Sequence, residues 1–384
     1  MTAERYARLR MIGWWDADRV AGARAIVAGA GALGNEVVKN LLLLGWGSIV
    51  VVDRDHIEES NLSRSALFRS DDVGRPKAEV VAERAAGMNP DCDVTALTGD
   101  LRAVLSAGMV ARSDVVFGCL DNVVGRIALS QLAGQTGRVF IDGGLSTWEG
   151  SVQVFASDPE APCYVCGLTS ADLQDLTLRR SCLAYQRRAD EHGGVATTPT
   201  LSSIIGALMV QQAVKLIHQG EHTMTISLGH ELRVDTADDR FWRTELTRDA
   251  NCPLHPGPPT TLDSASLSWE MSWAAIVEHW RTVLAEADVV LQLPVRLLCG
   301  WSCSDCGARD SGVRVHVEDA PITCQTCGSE VVPTVVRHVN GQEPWATTSP
   351  RESGLAALSR LQAQAVSRQV TFELAGGAGT QWGT

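Results

Sequence analysis

Three glycines, Gly29, Gly31 and Gly34, stand at the spacing G-x-G-x-x-G inside the stretch IVAGAGALGNEVVKNLLLLGWGSIVVVD. Glycines so spaced permit a tight turn and let a phosphate approach backbone N–H groups closely. Ile26 to Ala28 reads as a short buried strand before the turn, and Val37 to Leu44 as an apolar helix after it. Gly45 and Gly47 break that helix, and Ile49 to Val52 reads as a second strand ending at Asp53. The helix N-terminus would set its partial positive charge against the phosphate, and an acidic residue at the second strand end could hold ribose hydroxyls. The unit points to a nucleotide fold; the alternative is a tight strand–helix turn with no ligand.

Asp53 opens a polar loop, RDHIEESNLSRSALF, at the end of a sheet strand where open α/β folds bind ligands. Asn61, Arg64 and, further on, Lys77 could reach phosphate oxygens, Arg through its bidentate fork and Lys as a point charge. A buried strand over Asp114 to Cys119 runs into Leu120, Asp121 and Asn122, which makes Asp121 a candidate Mg²⁺ ligand, with Asn122 beside it in the nucleotide set. Each residue alone reads as surface polarity; the clustering after a nucleotide turn is what carries weight.

Six of the eleven cysteines form three C-x-x-C pairs, which favours metal over disulfides. Cys303, Cys306, Cys324 and Cys327 fit the zinc-ribbon template, with Gly307 and Gly328 following the pairs as tight knuckles require. Cys163 and Cys166 could join the distant Cys252 and His255 in a Cys₃His zinc site, the alternative being unligated buried thiols. Cys182 stands in RRSCLAYQRR, where Arg179, Arg180, Arg187 and Arg188 should favour its thiolate. Cys92 and Cys119 read as structural, and Cys299 as a strand residue just outside the ribbon.

Positioning these groups requires alternating strands and helices. Lys77–Met88 reads as a helix, Val94–Leu97 as a strand, Arg126–Ala133 as a helix, and Val139–Ile141 and Glu149–Phe155 as strands. The implied fold is α/β, a doubly wound, Rossmann-like, mainly parallel sheet with helices on both faces, plus a small C-terminal zinc-ribbon module. We place a nucleotide-binding domain at residues 1–256, including a loop at about 167–198. A helix over Trp269–Ala287, a strand over Val289–Leu298 and the ribbon fill 257–345, in a module whose core is expected to be thin. Residues 346–384 form an extension with helical apolar spacing at Leu355–Val366, a strand at Val370–Leu374 and a frayed tail. Docking a partner and capping the fold are both open readings of this C-terminal part.

Composition bounds the rest. The chain of 384 residues is 45% hydrophobic and 20% charged, as in ordinary globular proteins. A net charge of −12 argues against general nucleic-acid binding. Leu201–Ile217 is interrupted by serines, glutamines and a lysine, so no membrane span is expected. The N-terminal MTAERYARLR has no apolar signal core, and the expected compartment is cytoplasmic.

The motifs GAGALG, VVDRDHIEESNLSR, GRPKAE and CLDN resemble those of the ThiF/MoeB/HesA-type, E1-like enzymes that adenylate ubiquitin-like and sulfur-carrier proteins. IDGGLSTWEGSVQVF, CYVC and TTPTLSSIIGALMVQQAVKLI extend the likeness over about residues 4–256. The resemblance implies ATP on Gly29, Gly31 and Gly34, its ribose on Asp53, its phosphates on Asn61, Arg64 and Lys77, and Mg²⁺ on Asp121. RYARL resembles the family's N-terminal arm, which implies a homodimer with Arg8 reaching the neighbouring ATP. An ionised Gly-Gly terminus of a small carrier protein would attack the α-phosphate and release pyrophosphate, with the small residues Gly143 and Gly144 leaving room for the tail. Cys182 lies where relatives carry a thioester-forming cysteine on a mobile loop; an incidental thiol is the other reading. Ser65 replaces the Gln that usually follows the family's arginine. Competing readings are adenylation of a peptide or non-protein carboxylate, an NAD-dependent oxidoreductase, and an inactive nucleotide-binding scaffold. The cluster of Asn61, Arg64, Lys77 and Asp121 argues against the oxidoreductase, because hydride transfer does not need a triphosphate cradle.

Overall fold

A computed structural model describes residues 4–156, 158–168, 197–219, 224–256, 262–317 and 322–376. The chain divides into two compact units, one of Met1–Leu101 with Val110–Pro259, the other of Arg102–Met109 with Thr260–Thr384.

In the first unit α1 (Ala17–Gly22) leads to β1 (Arg24–Ala28), α2 (Ala32–Leu44), β2 (Ser48–Asp53), α3 (Lys77–Met88) and β3 (Asp93–Thr98). The short helices α4 (Leu101–Val104) and α5 (Ala107–Ala111) come next in the chain and fall largely in the Arg102–Met109 stretch of the second unit; the first unit resumes with β4 (Val115–Gly118), α6 (Val123–Thr136), β5 (Val139–Leu145) and β6 (Glu149–Phe155). The long helix α7 (Pro199–Ile217) and the hairpin β7 (His230–Asp235) and β8 (Arg240–Glu245) complete the unit. The sheet order is β3-β2-β1-β4-β5-β6-β7-β8. Strands β1 to β5 pair in parallel, and β6, β7 and β8 continue the sheet antiparallel. The uninterrupted apolar runs Ala25–Ala28 and Ile49–Val52 are buried along their length, as parallel strands covered on both faces require. Strand order reverses between β1 and β4, so a crevice opens at their carboxyl ends, where the glycine turn and the CLDN segment emerge.

Helix α7 qualifies for a membrane span by length and composition alone, contrary to the expectation from its polar interruptions. It is nevertheless a core element: Leu201, Ile205, Met209 and Ala213 are buried in the cluster that contains Leu33, Val37 and Val152. Thr198 caps it by accepting from the Leu201 N–H, and Pro199 opens its first turn.

The second unit contains β9 (Asp263–Ser268), α8 (Trp273–Leu284), β10 (Val290–Ser302), β11 (Arg309–His316), β12 (Val332–Val339), β13 (Arg360–Gln364) and β14 (Gln369–Ala375). Its sheet runs β11-β10-β13-β14-β9, with β12 also pairing β10. Two expectations are corrected here. The helical spacing at Leu355–Val366 gives a strand instead: Leu358 turns the chain at φ 59°, and Leu361 and Ala363 then alternate inward between β10 and β14. Cross-strand pairing overrides a spacing that suits either period. Nor is the core thin. Trp273, Ile276, Val277 and Trp280 of α8 are fully buried with Leu291, Leu297, Leu361 and Phe372, and the Trp280 and Phe372 rings lie 4.9 Å apart. The strands of residues 346–384 therefore belong to the same sheet as the ribbon strands.

Candidate functional site at the glycine turn and the cysteine clusters

Gly29 sits at φ 96°, and a Cβ there would lie 2.3 Å from the Cys119 carbonyl oxygen on the neighbouring strand end. A Cβ on Gly34 would lie 1.9 Å from the Gly29 carbonyl oxygen, so the start of α2 presses directly on the turn. These two glycines are demanded by backbone conformation and packing. Gly31 differs: a Cβ there would meet nothing within 4 Å. It is the N-cap of α2 and offers no side chain to the first-turn amides. Open space before an uncapped helix N-terminus fits an incoming phosphate.

Asp53 stands beneath this turn, one carboxylate oxygen accepting from the Ala30 N–H at 2.6 Å and the other from the Asp55 N–H at 2.8 Å. Burial raises its pKa, and the two amides and the Lys77 charge oppose that rise. Lys77 donates to Asp55 at 3.1 Å, and the Lys77 N–H donates to the Asp55 carbonyl, which ties the start of α3 to the polar loop. Asn61 is buried; its Oδ1 accepts from the Glu58 N–H at 3.0 Å and shapes a short 3-10 turn. Arg64 leaves that turn half-buried, donating to the Ser60 carbonyl at 3.0 Å.

Sequence reasoning missed Asn35, which joins this loop to the glycine turn. Fully buried on α2, it donates to the Ala30 and Gly31 carbonyls at 2.7 and 3.0 Å and accepts from the Leu67 N–H at 2.9 Å. An amide within an otherwise apolar helix face was the available signal.

At the end of β4, Asp121 is exposed, and Asn122 caps α6 by accepting from the Gly125 N–H at 2.7 Å. Also unforeseen is the pair of Arg126 on α6 and Asp142 on β5, 2.5 Å apart and largely buried. Burial pushes the Asp142 carboxyl up to about 6, with Arg126 opposing the rise. The signal was opposite charges at neighbouring element ends, but only the sheet order makes them neighbours. The groups expected at a nucleotide thus hang from the carboxyl ends of β1, β2 and β4, which adjoin in the sheet.

Arg8 is exposed on the N-terminal segment, with no side-chain partner among the described residues. That segment is anchored two residues earlier by Tyr6, which is buried and accepts from Asn89 at 2.7 Å. Cys182 and most of the crossover loop lie outside the described residues. Burial pushes the Cys92 thiol up to about 12 and also raises that of Cys119.

Both cysteine clusters assemble. In each, the four ligand atoms lie within 4.8 Å of one another. Cys163 lies 3.6 Å from Cys166 and 3.8 Å from Cys252, and Cys166 lies 3.5 Å from Nδ1 of His255. A tetrahedral zinc ion separates such ligands by about 3.5–3.8 Å. Nε2 of His255 donates to the Pro159 carbonyl at 2.8 Å, the tautomer that leaves Nδ1 free for a metal. In the second unit Cys303 lies 3.6 Å from Cys327, and Cys306 lies 3.5 Å from Cys324. Hydrogen bonds from Ser329 and the neighbouring cysteines hold the Cys327 thiol down at about 6, which suits a thiolate ligand.

Comparison with known proteins follows this geometry. The chain is 30% identical over 260 residues to the SAMP-activating enzyme E1 of Haloferax volcanii, covering 65% of this chain and 88% of that one. It is 27% identical over 338 residues to the sulfur carrier protein ThiS adenylyltransferase of Bacillus subtilis, covering 85% and 91%. The structure of E. coli MccB with ATP superposes with a TM-score of 0.53 at 21% identity, over 65% of this chain and 73% of that one, a likeness of fold. The ThiF family model matches residues 3–254, which spans the glycine turn, the strand-end cluster and the three cysteines Cys163, Cys166 and Cys252. With its motifs, sheet and relatives in agreement, the chain belongs to the ThiF family of E1-like adenylyltransferases.

Proposed function

We propose that this enzyme uses ATP to adenylate the C-terminal glycine carboxylate of a small ubiquitin-like or sulfur-carrier protein. The observation that supports the reading is the open space at Gly31, with Asp53 bonded to the glycine turn and Arg64, Lys77 and Asp121 carried on the segments that follow the adjoining strands β2 and β4. The carboxylate oxygen forms a bond to the α-phosphorus, the bond to the β-phosphate bridging oxygen breaks, and pyrophosphate leaves with that electron pair. The nucleophile is already ionised, so no general base is needed. Arg64, Lys77 and an Arg8 supplied across a homodimer would stabilise charge gathering on the phosphate oxygens. Mg²⁺ held near Asp121 would add charge neutralisation. Asp53, its carboxylate buttressing the turn, would orient the ribose side of the nucleotide, with Asn61 and Asn122 shaping the flanking loops.

A protein substrate is supported by β8, the outer antiparallel strand, which exposes Phe241 and Trp242 in a sheet continuous with Gly143 and Gly144 of β5. Thioester transfer to Cys182 is the further step we propose. Zinc in both clusters and a reducing, cytoplasmic setting accord with ten free cysteines among the described residues.

The test is intact-mass spectrometry of the enzyme, ATP–Mg²⁺ and a panel of small proteins ending in Gly-Gly. An adenylated carrier supports the reading, and a reducible adduct lost in Cys182→Ala adds the thioester step. Adenylation of short peptides with none of carriers would shift the assignment to a peptide substrate. Gly31→Ala should leave the melting temperature unchanged and abolish ATP binding; retained binding counts against the site.

A further inference from the structure

The side chain of Arg126 is engaged in a way that packing alone does not require. Its Nε and Nη2 both donate to the Leu120 carbonyl, at 3.0 and 2.6 Å, and Nη2 also reaches the Gly143 carbonyl at 3.0 Å. Its Nη1 meets the Asp142 carboxylate, and Tyr164 is a further hydrogen-bonding partner. One guanidinium therefore ties the peptide immediately before Asp121 to the end of β5. Asp142 is 2% exposed and its second oxygen, Oδ1, has no partner among the described residues. Space for that oxygen exists because residue 118 is glycine; a Cβ there would lie 2.5 Å from Oδ1. Burying such a pair costs desolvation that an apolar pair of similar volume would avoid. Its directional hydrogen bonds to two strand-end carbonyls are what an apolar pair could not supply.

We propose that Arg126 is a positioning residue for the metal–nucleotide complex: by clamping the Leu120 peptide to Gly143, it sets where Asp121 stands at the end of β4. Asn122 secures the other flank through its cap on α6, so the exposed Asp121 carboxylate is held on both sides. The inference rests on the ATP reading above and adds to it a residue that touches neither nucleotide nor metal. Indirect supports of a metal ligand commonly contribute about 10–100-fold in metal affinity.

The experiment measures binding of α,β-methylene-ATP to the full chain with and without Mn²⁺, together with the melting temperature. In the unaltered protein Mn²⁺ should tighten nucleotide binding. Arg126→Met should lose that tightening by at least about tenfold, with metal-free binding within about twofold. Asp121→Asn should show the same loss, and the double variant should be no worse than Asp121→Asn alone. Arg126→Met/Asp142→Leu, which removes both buried charges, should reproduce the effect in a stably folded protein if the single variant unfolds. Undiminished Mn²⁺ tightening in these Arg126 variants while Asp121→Asn loses it would overturn the proposal, as would an equal loss of metal-free binding. Absence of nucleotide binding in the unaltered protein would instead overturn the ATP reading beneath it.

Discussion

The two cysteine clusters offer the same kind of donor set but are built in opposite ways. The ribbon ligands come from two short knuckles in one hairpin-rich stretch, each closed by its own backbone: the Gly307 N–H donates to the Cys303 carbonyl and the Gly328 N–H to the Cys324 carbonyl. Two of its four cysteines, Cys306 and Cys327, are exposed. The Cys₃His cluster joins residues 89 positions apart in sequence. It is packed against Ile127 and Val123 of α6, and no ligand is fully exposed. A local cluster organises the segment that carries it, whereas an assembled cluster closes a long loop and depends on the fold that brings it together. The difference matters for function, because the assembled cluster packs on the helix that follows Asp121.

Breaking the assembled cluster should have the largest effect. Cys163→Ser should cost about 3–5 kcal/mol, the size of losing a long-loop cross-link, and lower the melting temperature of the first unit by roughly 10 °C. Scanning calorimetry with a nucleotide-binding assay reads both, and an unchanged first transition would remove the closure argument. Cys324→Ser should act locally, disordering the ribbon knuckles while nucleotide binding persists, because the second unit keeps the Trp280–Phe372 core. Loss of nucleotide binding in that variant would erase the contrast between the regions.

Chelation should separate the clusters by rate. With both occupied by zinc, a thiol-sensitive metal indicator should register the ribbon's ion first, since Cys306 and Cys327 face solvent. Simultaneous release would mean that exposure does not govern access. The smallest effect is expected from His255→Cys, which should keep the metal and stay within about 1 kcal/mol of the unaltered protein. His255→Ala should lose it, as measured by metal content after dialysis.

Legibility followed the range over which each feature is encoded. The turn glycines could be read because conformation and close approach act within a few residues, and Gly29 and Gly34 bear those demands out. The C-x-x-C knuckles could be read for the same reason. Spacing misled at Leu355–Val366, where apolar positions compatible with a helix were taken up by strand pairing. It also understated the second core, since Trp273, Trp280 and Phe372 become one cluster only when α8 meets β14.

By itself the sequence determined the strand–turn–helix unit, the alternating α/β order, the pairing of the ribbon cysteines into one cluster, and the family. Those are short-range patterns, in which residue type and local spacing carry the physics. Only the tertiary structure decided that Arg126 clamps two strand ends beside Asp142, and that Asn35 holds the glycine turn against the Leu67 loop. It also decided that His255 faces Cys166 through Nδ1 with its other nitrogen on Pro159. These pairings depend on which strands adjoin and which loops close, and such long-range contacts have no fixed spacing along the chain to announce them.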